Sequence, residues 1–152
     1  MLALCGLLGC AQPLQRSNAN DNFWSGRLAL QVEGHAAQSF SASFELRGNP
    51  QNGALVLISP LGNRLAQLEW SDGHAQLMTS GQDVRSSNSL DSLIQDVTGT
   101  RLPVPALFQW LRGVDAQEPG WQADLSALES GRLLARRVEP APQATLRIAL
   151  TP

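Results

Sequence analysis

Residues 28–46 alternate apolar and polar side chains with a period of two. Leu28, Leu30 and Val32 fall on one side of an extended chain, with Ala29, Gln31 and Glu33 on the other. After the turn Gly34-His35-Ala36, residues Phe40, Ala42, Phe44 and Leu46 alternate with Ser39, Ser41, Ser43 and Glu45. Successive side chains of a strand point to opposite faces, so each run is a half-buried strand and the pair a hairpin with one apolar face. A one-faced sheet must cover that face somehow, and that need governs the whole fold.

The same signals continue along the chain. Gly48 to Gly53 forms a loop, 54–59 a third strand, and Pro60-Leu61-Gly62-Asn63 a break. A fourth strand follows over 65–70, with Ala66, Leu68 and Trp70 on one face, then a turn at Ser71-Asp72-Gly73 and a fifth strand over 75–79. Over 89–99 the period changes. Ser89 caps a helix carrying Leu90, Leu93, Ile94 and Val97, and Gly99 stops it. Pro105 suits the first turn of a second helix over 106–111, ending at Gly113. Strands return at about 120–126, 132–139 and 144–151. In the middle one, Arg132, Leu134 and Arg136 oppose Leu133, Ala135 and Arg137, leaving its inward face open. The expected fold is mainly β. It is a strongly curved antiparallel sheet of eight or so strands, with two short amphipathic helices over its mouth and an apolar hollow beneath them.

The N-terminus sets the cellular context. An apolar run ends in Leu7-Leu8-Gly9-Cys10, with a large residue three before the cysteine and a small one directly before it. This reads as a lipoprotein signal, the alternative being a clipped apolar N-terminus of no significance. Residues 1–9 are the signal peptide with a truncated charged region, Cys10 is the lipidated first residue of the mature chain, and 10–22 is a polar tether. Residues 23–152 make one domain, enough for a single core. Cys5 leaves with the signal, so no thiol remains for a disulfide or a metal. Net charge is −2, with no basic cluster suited to nucleic acid.

Catalytic signatures are poor. His35 and His74 both follow glycines and read as solvated turn residues, there is no G-x-S-x-G elbow, and no zinc spacing occurs. No cofactor is expected. The informative residues are apolar. Pro60 and Gly62 form a turn that pushes Leu61 outward, or else Leu61 folds back on the core. The inward-facing Leu28, Leu30, Phe40, Phe44, Leu57, Leu68, Trp70, Leu93, Leu107 and Trp110 either pack a solid core or line a hollow.

Trp24-Ser25-Gly26-Arg27-Leu28, Ser59-Pro60-Leu61-Gly62, Thr98-Gly99, Leu102 to Leu107 and Trp110-Leu111-Arg112-Gly113 stand in the order of a known family. Gly120-Trp121, Arg132 to Pro140 and the final Leu146-Arg147-Ile148 strand continue it. Over residues 23–150 the chain resembles LolB, the outer-membrane receptor for lipoproteins. The resemblance implies an unclosed antiparallel β-barrel with a helical lid and an apolar cavity. It also implies a non-enzymatic, monomeric receptor, anchored in the outer membrane of a Gram-negative cell and facing the periplasm. Such a receptor accepts acylated lipoprotein cargo from the periplasmic carrier LolA and inserts it into the bilayer. The ten inward residues become acyl-cavity lining, and Pro60, Leu61 and Gly62 the loop that enters the membrane. Ala11, where the family's inner-membrane retention signal would be Asp, agrees with outer-membrane sorting. Two departures, a short polar segment in place of an N-terminal helix and a shortened 113–120 stretch, predict a smaller lid. The rival readings are an anchored envelope protein that shuttles another amphiphile, a lipoprotein hydrolase, and a structural lipoprotein with a flat interface.

Overall fold

The structure, a computed structural model, describes residues 22–36, 39–98 and 101–152. The signal peptide, Cys10, most of the tether, the N-terminal departure and the Gly99 stop fall outside the described residues.

Nine strands form one antiparallel sheet: β1 (Asn22–Val32), β2 (Phe40–Gly48), β3 (Asn52–Ile58), β4 (Arg64–Ser71), β5 (His74–Thr79), β6 (Val84–Ser87), β7 (Trp121–Asp124), β8 (Arg132–Arg137) and β9 (Ala144–Leu150). Their order is β6-β5-β4-β3-β2-β1-β9-β8-β7, and the two outermost strands are not paired with each other, so the barrel is unclosed. The helices α1 (Leu90–Thr98) and α2 (Val104–Leu111) lie between β6 and β7 in the chain. The strand beyond the expected eight is β6. Its sequence, Val84-Arg85-Ser86-Ser87, has a single apolar residue and is almost wholly exposed, so it carries no alternation to read.

Registers set the two ends of the sheet. Asn22 pairs with Gly48, Gly48 with Gly53, and Gly53 with Trp70. The start of β1 and the 49–51 turn therefore share one end, here called proximal. Ile58 pairs with Arg64 and Val32 with Ala144, so the 59–63 turn and the 138–143 loop lie at the other, distal end.

Alternation places Leu28, Leu30, Val32, Phe44, Leu46, Leu68 and Trp70 inside, all buried. The open question at β8 resolves with Leu133, Ala135 and Arg137 inward, because Leu133 pairs with Ile148 and Ala135 with Leu146. The inward guanidinium of Arg137 donates from Nε (3.1 Å) and Nη2 (2.7 Å) to the Pro142 carbonyl, tying β8 to the distal loop. Burial lowers its pKa by desolvating the charge.

Two expectations need correction. α2 starts at Val104, not Ala106, and it is not an amphipathic cover. Val104, Ala106, Phe108, Trp110 and Leu111 are all buried, because the helix is apolar on nearly every side and inserts into the curved sheet as a plug. α1 is the amphipathic one: Leu93 and Ile94 are buried while Asp91, Ser92, Gln95 and Asp96 are exposed. His74 opens strand β5, where an exposed turn residue was expected. It and His35 are both exposed.

Candidate functional site: an apolar cavity and an exposed leucine

Beneath the helices the sheet encloses a cavity of about 130 Å³. Every residue lining it is apolar. Leu28, Leu30, Phe40, Phe44, Leu57, Leu68, Trp70, Leu93, Leu107 and Trp110, the ten inward positions singled out from the sequence, all lie on its wall. Leu46, Leu55, Ala66, Leu77, Ile94, Leu102, Pro103, Val104, Leu111, Leu146 and Ile148 complete it. Those further positions follow from the same alternation in β2–β5 and β9, from the buried face of α1 (Ile94), from the all-round burial of α2 and from Leu102-Pro103 leading into it. The alternation alone does not separate them from packed core.

The wall stays apolar because its polar atoms are satisfied elsewhere. Trp70 Nε1 donates to the Asn49 carbonyl (2.9 Å) and Trp110 Nε1 to that of Ala116 (3.0 Å), so both indoles turn ring carbons to the hollow. The proximal end is shut by aromatic packing. Phe108 meets Trp24 edge-on at 5.7 Å between centroids and Trp70 at 6.3 Å. Trp70 also lies across Gly53, its cross-strand partner. A Cβ at Gly53 would collide with that indole, which is why only glycine fits there. Phe40, Leu57 and Ala66 are only half-buried, so the lining is least covered toward the distal turns.

Leu61 stands at the tip of the 59–63 turn with 87% of its surface exposed. It does not fold back on the core. The turn is held rigidly: Ser59 N–H donates to the Asn63 carbonyl (2.8 Å), Gly62 N–H to the Ser59 carbonyl (2.9 Å), and Asn63 N–H to the Ser59 hydroxyl oxygen (3.2 Å). Gly62 adopts φ +85°, a left-handed conformation that glycine takes without penalty. A large apolar side chain fixed in water by its own backbone is an arrangement that folding alone does not favour.

Among the described residues, no group of three or more His, Cys, Asp or Glu side chains is placed to hold a metal. No helix of the described residues is long and apolar enough to cross a membrane. Asp124 has a lowered pKa, held down by hydrogen bonding from Ser126, and it belongs to an exposed turn.

Residues 22–141 match the family model described as outer membrane lipoprotein LolB. The chain is similar to the outer-membrane lipoprotein LolB of Bordetella petrii, with 31% identity over 176 aligned positions covering 97% of this chain and 88% of that protein. It is 35% identical to the Dechloromonas aromatica protein of that name over 120 positions, 74% of this chain and 63% of that one. With the Chromobacterium violaceum protein of that name it shares 32% identity, over 84% of this chain and 72% of that one.

Proposed function

The chain belongs to the LolB family of outer-membrane lipoproteins, and on that premise we propose that it receives lipoproteins and inserts them into the outer membrane. The observation that carries this reading is the pairing of a wholly apolar cavity with a rigidly exposed Leu61. Cys10 is the acylated anchor, and the periplasmic carrier LolA, docking as a monomer-to-monomer pair, is the donor of cargo.

Energetics decide how the cavity works. An acyl chain gains roughly 0.8 kcal/mol for each CH₂ removed from water, so about sixteen carbons are worth about 13 kcal/mol gross. An engineered apolar cavity of about 150 Å³ holds one benzene. The 130 Å³ hollow therefore admits only a few carbons until a helix moves. Among its described side chains α1 buries only Leu93 and Ile94, against five for α2. Among the described side chains, lifting α1 exposes Leu93, Ile94 and the half-buried Leu90 at about 4–8 kcal/mol, under the acyl gain, whereas lifting α2 with its five buried residues costs more. α1 is the part of the cover that moves and α2 the part that stays. Transfer then needs no chemistry: cargo moves from carrier to receptor to bilayer down a gradient of affinity, and no residue is assigned a catalytic role.

The anchor geometry is compatible. β1 starts at the proximal end, remote from Leu61. Twelve Cα steps separate Cys10 from Asn22, a reach of roughly 40 Å. An 11-residue strand such as β1 spans about 36 Å. The tether is long enough for the distal end to face the membrane that holds the anchor.

The test is Leu61→Glu in the full chain. Circular dichroism stays unchanged and cargo is still taken from LolA, but delivery to vesicles slows. Delivery at the wild-type rate rejects the role of the loop, and failure of the wild-type chain to strip cargo from LolA rejects the receptor reading itself.

A further inference from the structure

Seven large hydrophobic residues are exposed among the described residues, and four of them sit at one corner. Leu61 is the tip of the β3–β4 turn. Leu65 follows it at 40% exposure, Met78 on β5 is 44% exposed and Val84 on β6 is 52% exposed. Registers make these neighbours. Met78 pairs with Val84, which puts their Cβ atoms about 5 Å apart, and Leu65 is diagonal to Met78 at about 7–8 Å. A register shift contributes. Leu57 pairs with Ala66 but Ile58 with Arg64, so Leu65 is an extra residue in β4. With Ala66 on the cavity wall, strict alternation would turn Arg64 inward. The shift sets it opposite Ile58, on the outer face with Glu45 and Glu69.

We propose that the bilayer-contacting surface extends from Leu61 over the outer face of the β4–β5–β6 corner, with Leu65, Met78 and Val84 at the boundary between headgroups and acyl chains and the exposed Arg64 against lipid phosphates. This deepens the proposed function and rests on its premise that Leu61 meets the membrane. Three observations name a bilayer as the occupant. The patch is continuous with the Leu61 tip. Its flank carries the exposed Arg64, beside Glu45 and Glu69 on the same outer face and Asp83 in the adjoining turn of β5 and β6, and a guanidinium group matches phosphate geometry. The chain also belongs to a family of outer-membrane lipoproteins, so its anchor keeps the bilayer at high effective concentration, and a weak contact suffices. Orientation follows: a single leucine lets the domain pivot, whereas a facet of four apolar residues fixes the cavity's distal end toward the membrane.

The experiment uses the full chain carrying Cys10→Ser, so that no acyl group contributes, floated with vesicles of phosphatidylethanolamine and phosphatidylglycerol. Leu61→Glu lowers partitioning. The double variant Met78→Ser, Val84→Thr, which keeps strand propensity and an unchanged near-ultraviolet dichroism spectrum, lowers it by about tenfold. Phe23→Ser, which removes an exposed aromatic at the proximal end, leaves it unchanged. Arg64→Gln weakens binding only when phosphatidylglycerol is present, whereas Arg85→Gln, at a position that pairs with the inward Leu77 and so lies on the other face of the sheet, leaves it unchanged. If the double variant floats like wild type while Leu61→Glu does not, the contact ends at the tip and this proposal falls, with the proposed function intact. If Phe23→Ser costs as much as the double variant, partitioning is unspecific and the facet is overturned. If Leu61→Glu floats like wild type, the premise fails and the facet with it.

Discussion

Filling the cavity separates a functional void from imperfect packing, and Ala66→Leu is the cleanest way to do it. Ala66 lies on the cavity wall, half-buried, opposite Leu57 on β3. Leucine adds three carbons into a hollow of about 130 Å³, so no neighbour must move. At roughly 0.8 kcal/mol per buried carbon and about half burial, the native state gains about 1.2 kcal/mol. That raises the melting temperature by about 3–5 °C for a domain of this size. A fatty-acid probe loses the same space and the same contacts, so its dissociation constant rises about eightfold. Stability and binding thus move in opposite directions, which neither a surface effect nor general loosening produces. The assay is a thermal melt followed by near-ultraviolet dichroism, beside a fluorescent fatty-acid titration of the same sample. A lower melting temperature shows that the space is already filled. A raised melting temperature with unchanged probe affinity shows that the probe binds elsewhere, and either result refutes the cavity as the acyl site.

Three further outcomes follow from the packing. Gly53→Ala pushes the Trp70 indole off its shelf and costs about 1–3 kcal/mol, visible as a shift in tryptophan emission together with a lower urea midpoint. Arg137→Ala leaves the Pro142 carbonyl without its two guanidinium donors and destabilises by about 2–3 kcal/mol, while a midpoint within error of wild type would show the distal loop holds itself. Asp124 has a depressed native pKa, so its stabilising contribution is fully present above its unfolded value of about 4 and is lost as pH falls through the native value. Asp124→Asn accordingly flattens the acid limb of the stability curve below about pH 4, because the contribution of the ionised carboxylate is then missing at neutral pH as well.

The strands were legible because burial on one face forces a period of two, and the first hairpin, β4 and β5 follow their alternation residue by residue. β6 was not, since an edge strand at the rim of an open barrel buries almost nothing and Val84 to Ser87 carries no apolar alternation. The extra residue at Leu65 was also invisible. Sequence alternation runs straight through it, and only pairing with β3 shows that Arg64 and Leu65 both avoid the cavity. The exposure of Leu61 was suggested by Pro60 and Gly62, but the turn's own hydrogen bonds decide it.

The deeper limit is that a void and a core use the same residues. Phe108 and Trp110 sit two positions apart in α2, both aromatic and both buried. Two residues turn a helix by about 200°, so they face opposite ways. Phe108 is locked between Trp24 and Trp70 and closes the proximal end, while Trp110 turns a ring to the hollow and hands its N–H to Ala116. Composition cannot distinguish these roles, because transfer from water favours both equally. What distinguishes them is whether facing atoms lie within contact, a matter of ångströms set by how strongly the sheet curves. β6 and β7, the two outermost strands, are not paired, so no ring of hydrogen bonds locks the walls together. On the proposed function, that unpaired edge, costly to leave exposed, is what lets the wall yield around an acyl chain while the rest of the sheet stays paired.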